Sequence, residues 1–167
     1  MTDITIIDKF RNHARQVEVF YEFCQKHLEG ITILYAKDFV RLIHLFVNQS
    51  PMTDLNNKLL GIATTLDDIG DFRPFLLESM FNYLYIIASD RLAEYGAIAL
   101  DPDLSIIVYY NFKNRRDNQT ISLVCKEKTF LVSVIARKEG VVKFSGVLTM
   151  EPKAYFRIEE VLDFFFK

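Results

Sequence analysis

The chain contains no tryptophan, only two cysteines, four prolines and six glycines in 167 residues. None of the glycines falls in a GxGxxG or GxxxxGK arrangement, so the familiar phosphate-cradling loops are missing and nucleotide chemistry of those kinds is excluded. Cys24 and Cys125 are isolated and each lies in an apolar pattern, which predicts buried thiols in a reducing compartment and leaves a single disulfide between them open. No apolar run reaches the roughly 18 residues of a membrane span. Met1-Thr2-Asp3 does not begin a basic stretch followed by an apolar one, so no signal peptide is expected and the expected compartment is the cytoplasm. A dominant charge is also lacking: the net charge is -2, with 13 acids and 9 bases in residues 1–100 against 9 acids and 11 bases in residues 101–167. Neither half is basic enough to mark a nucleic-acid binder.

Catalytic groupings are equally sparse. Of His13, His27 and His44, only His27 pairs with a cysteine at helical spacing, Cys24 three residues earlier. That supplies two ligands where a structural zinc takes four and a catalytic zinc usually three, so neither metal nor cofactor is expected. Cys24 itself lies on an apolar helical stripe, out of reach of a substrate, and no thiol catalysis is expected from it.

What the chain does have is apolar surface. Half its residues are hydrophobic and 15 are Phe, ample to offset chain entropy at roughly 25 cal/mol per Å² buried. One domain is expected over residues 1–167. The period of the apolar pattern changes near Asp101-Pro102. Before it, Ile7, Phe10, Ala14, Val17, Tyr21, Cys24 and Leu28 alternate spacings of three and four, which predicts a helix over Ile4 to Leu28 stopped by Gly30. Further helices are predicted over Lys37 to Asn48 and Thr53 to Leu66. A fourth, from Pro74 to Tyr95, is apolar on all sides but a thin stripe at Glu78, Asn82 and Ser89, and belongs in the middle of the fold.

After the switch, side chains alternate at Leu104 to Phe112, Ile121 to Cys125, Phe130 to Ala136 and Val142 to Leu148. The connections are too short for parallel returns, so these segments read as a four-stranded antiparallel meander. Tyr155, Ile158, Val161, Leu162 and Phe165 predict a final helix that covers one sheet face. The expected class is α+β, with residues 1–100 helical and residues 101–167 forming the sheet and last helix.

Two charged clusters invite a functional reading. Asp67, Asp68 and Asp71 fall between the third and fourth predicted helices, where they fit a solvated loop with N-caps, a docking site for a basic partner, or a hard cation, although the segment lacks the EF-hand ligand series. Lys113, Arg115 and Arg116 lie beside Tyr109, Tyr110 and Phe112, a grouping that suits either single-stranded nucleic acid or a solvated hairpin turn; the hairpin position favours the turn, and no direct nucleic-acid contact is expected.

A small, mildly acidic, Phe- and Tyr-rich chain with this architecture and no catalytic motif resembles bacterial immunity proteins, such as those of contact-dependent growth inhibition systems. Those families share no single motif, so no residue role is carried over. The resemblance implies a non-catalytic protein whose partner is a cognate toxin domain, often a nuclease, neutralised by tight binding over or near its active site. A cationic nuclease surface would favour acidic contacts, which selects Asp67, Asp68 and Asp71, with Glu78 if its helix face is exposed. The outer strand of the meander offers a second route, by accepting a partner strand with contacts from Tyr109, Asn111 and Arg115. A monomer or weak homodimer with no membrane partner is expected. Two other readings stay open: a small enzyme with an unrecognised site, and a structural or regulatory subunit that dimerises through the Phe-rich C-terminus.

Overall fold

The computed structural model describes residues 3–69, 74–88, 96–112, 119–125, 131–138, 141–149 and 160. Four helices precede an antiparallel sheet, in the order α1 (Asp3–Leu28), β1 (Ile33–Tyr35), α2 (Ala36–Gln49), α3 (Thr53–Ile69), β2 (Pro74–Leu76), α4 (Leu77–Ile86), β3 (Gly96–Leu100), β4 (Ile106–Phe112), β5 (Gln119–Cys125), β6 (Leu131–Lys138) and β7 (Val141–Thr149). The α+β class and the antiparallel sheet agree with the sequence reading. No helix among the described residues is long and apolar enough to cross a membrane.

Helix α1 forms as its periodicity dictates, and its end shows why Gly30 matters. Glu29 and Gly30 have φ of 49° and 90°, a left-handed pair that turns the chain out of the helix. The face that α1 buries is rotated from the predicted one: Phe10, His13, Val17, Phe20, Cys24 and Leu28 are buried, while Tyr21 is half-buried. Phe20 is the hub. Its ring lies 5.8 Å from Phe39, 4.8 Å from Phe46 and 5.5 Å from Phe81, joining α1 to α2 and α4 in the tilted and edge-on arrangements that aromatic quadrupoles favour.

Helix α4 is buried around almost its whole circumference, as a central helix must be, with Glu78 its one exposed side chain. It is shorter than its pattern predicted, ending at Ile86; Ser89 and the rest of the expected continuation, residues 89–95, lie outside the described residues. Ser79 and Asn82, one of them assigned to a polar stripe, are buried. The Ser79 hydroxyl accepts from the Ile106 N–H at 2.7 Å and donates to the Cys125 carbonyl, which fastens α4 to the paired ends of β4 and β5.

Two corrections concern strands. Pro74 does not open a helix; Pro74–Leu76 pairs antiparallel with Ile33–Tyr35 in a two-stranded ribbon, a pair of strands too short to show a period in the sequence. The meander has five strands rather than four, in the order β3-β4-β5-β6-β7, because Gly96–Leu100 extends it beyond β4. Ile106, Val108, Leu123 and Cys125 face inward as the alternation required, whereas Val142 is exposed, close to the register shift at Ala136/Arg137. The predicted final helix falls outside the described residues except at Glu160, which is helical.

Buried side chains from α1–α4 and from β1–β5 form one continuous cluster. Cys24 and Cys125 both belong to it, and both are free thiols. Burial pushes the Cys24 thiol up to about 12 and the Cys125 thiol well above the ordinary range, since a thiolate in an apolar interior loses its hydration.

Candidate functional site

Helices α2 and α4 are each preceded directly by a strand of the ribbon, β1 leading into α2 and β2 into α4. Leu28, the last residue of α1, stands five residues before β1, and Ile69, the last of α3, stands five before β2. Five extended steps span at most about 18 Å, so the ribbon gathers the ends of all four helices into one region.

The ribbon has two faces, as a strand's two-residue period requires. Leu34 and its partner Phe75 point into the core. The opposite face carries Ile33 beside Leu76 and Tyr35 beside Pro74. Ile33 is 47% exposed and Tyr35 46%, and Ile31, two residues upstream, is 56% exposed. Leu76 and Pro74 are half-buried. Three large apolar side chains in alternate positions thus face water, where most residues of this type would sit inside.

Acids stand on the elements that lead into and out of the ribbon. Glu29 and Asp38 bracket β1 in sequence, Asp67 and Asp68 occupy the last turn of α3, and Glu78 stands in the first turn of α4. All but Asp38 are exposed, against exposed Lys26 and Lys37 in the same stretch. The region therefore has an acidic excess around an apolar centre.

The placement of Asp67 and Asp68 corrects the loop reading. They are helical, and they do not cap the following helix: α4 begins at Leu77, its N-cap position is Leu76 with no side-chain cap, and β2 intervenes. Carboxylates at a helix C-terminus face the negative end of the macrodipole, and α3 has no basic residue in its last turn to offset them. Asp38 and Glu78, in first turns, have the favourable placement. Asp71 lies outside the described residues.

The second predicted surface is changed by β3. Tyr109 is 47% exposed on the sheet's open face, but β4 is paired on both sides, with β3 and with β5, and is not an edge able to take another strand. Asn111 pairs with Thr120 in the same ladder. Arg115 and the other basic residues of the hairpin lie outside the described residues.

Two of the three histidines and Lys58 bond to backbone carbonyls. His13 is buried, and its Nε2 donates to the Leu84 carbonyl at 2.5 Å. His27 is exposed, with Nδ1 donating to the Phe23 carbonyl at 3.0 Å and its ring packed 4.2 Å from Phe23. A cleft of about 610 Å³ lies towards the other end of the helices, between the first half of α1 and the start of α3, lined by Asp8, His13, Asp54 and Lys58 among others. Lys58 donates from Nζ to the Ile87 carbonyl at 2.7 Å, closing the end of α4 rather than waiting for a ligand. No group of three or more His, Cys, Asp or Glu side chains suited to a metal occurs among the described residues.

The sequence reading singled out Asp67, Asp68 and Glu78 and did not single out Ile31, Ile33 and Tyr35, whose exposure only the structure gives. The available signal was Ile31-Thr32-Ile33-Leu34-Tyr35 itself, five strand-forming residues directly after a helix stop. Comparison of the chain with family models, with curated proteins and with solved structures gives no match.

Proposed function

We propose that this is a non-catalytic protein-binding protein, an immunity protein that neutralises a cognate bacterial toxin domain in the cytoplasm. The observation that carries the reading is the outer face of the β1–β2 ribbon, where Ile31, Ile33 and Tyr35 are exposed, with Glu29, Asp67, Asp68 and Glu78 and the bases Lys26 and Lys37 exposed on the elements that lead into and out of it. Apolar anchors rimmed by charged side chains are the composition of a protein contact, since the anchors supply affinity once dehydrated and the rim supplies steering and selectivity. A toxin that acts on nucleic acid must hold phosphates and so carries a basic surface, the complement of the more numerous acids in this region. The engagement of His13, His27 and Lys58 with backbone carbonyls supports a binding role over a catalytic one.

The test is co-expression with the C-terminal domain of a large secreted protein encoded beside this chain's gene. Immunity predicts that growth is restored by the wild-type chain and lost again with Ile33→Asp combined with Asp67→Lys. Growth arrest in the presence of well-expressed, folded wild-type protein would reject the reading for that toxin.

A further inference from the structure

We draw no further inference here: the strongest candidate, the polar cleft of about 610 Å³ between the first half of α1 and the start of α3, carries nothing, because its carboxylates Asp8 and Asp54 stand with the ammonium groups of Lys9 and Lys58, His13 and Lys58 already bond to the Leu84 and Ile87 carbonyls, and nothing in the structure shows what fills it.

Discussion

Reversing the charge of Asp67 and Asp68 separates a folding role from a binding role, because the two respond with opposite sign. Both carboxylates stand exposed in the last turn of α3, facing the negative end of its macrodipole with no basic neighbour in that turn. An exposed charge in a terminal turn contributes about 0.3 kcal/mol at the low end of the measured range, unfavourably here. Lysine at each position converts that cost into a gain of similar size, so Asp67→Lys combined with Asp68→Lys should stabilise the fold by about 1 kcal/mol. For a chain of this length that is a rise in Tm of roughly 2–4 °C. Glu78 provides an internal control: it occupies the first turn of α4, where a carboxylate is favourable, and Glu78→Lys should lower Tm by a degree or two. The assay is thermal unfolding followed by circular dichroism at 10 mM and 500 mM salt, since screening should erase both effects. A fall in Tm for the double aspartate variant at low salt would refute the argument, and would mean that the two carboxylates serve the fold through a partner within it.

Four further outcomes follow from the packing and the buried thiols. Phe20→Ala removes the ring at the centre of the Phe39, Phe46 and Phe81 contacts and should cost about 3–5 kcal/mol in denaturant unfolding. Ser79→Ala strips the Ile106 N–H and Cys125 carbonyl of their shared buried partner, for a loss of about 1–3 kcal/mol, whereas Glu78→Gln one residue away should change stability by under about 0.5 kcal/mol. Cys24 in the folded chain holds its proton up to about pH 12, against an ordinary thiol value of 9.0. Its contribution is therefore complete below pH 9 and is lost as pH rises towards 12, because only the unfolded chain ionises there; the stability slope for this thiol should approach roughly -1.4 kcal/mol per pH unit in that window. Iodoacetamide at pH 8 should leave both cysteines of the native protein unmodified and label both in denaturant.

The sequence revealed elements that repeat a period many times and hid those that do not. Helix α1 announces itself through seven apolar positions, yet Phe20 and His13 are not among the seven, because the α2 and α4 surfaces that receive them are set only in three dimensions. Strands β1 and β2 have three residues each, too few for alternation, and Pro74 satisfies both a helix start and an outward-facing strand position. β3 went unread between the predicted helix end at Tyr95 and the change of period near Asp101, since Gly96 serves as readily to stop a helix as to begin a strand. Asp67 and Asp68 were legible as a cluster, but their helical setting, and with it the dipole argument, depended on α3 continuing to Ile69. The apolar face at Ile31, Ile33 and Tyr35 was invisible for a simple reason: exposure is a property of what fails to cover a residue.

The central claim is that the outer face of the β1–β2 ribbon is the contact for a basic protein. Its most direct test is paired affinity capture from the native host, using tagged wild-type chain and the folded Ile33→Asp, Tyr35→Asp variant side by side, with quantitative mass spectrometry. The account predicts one stoichiometric basic partner retained by wild type and reduced at least tenfold with the variant. Equal recovery of that partner by both proteins would contradict it and place the contact elsewhere on the molecule.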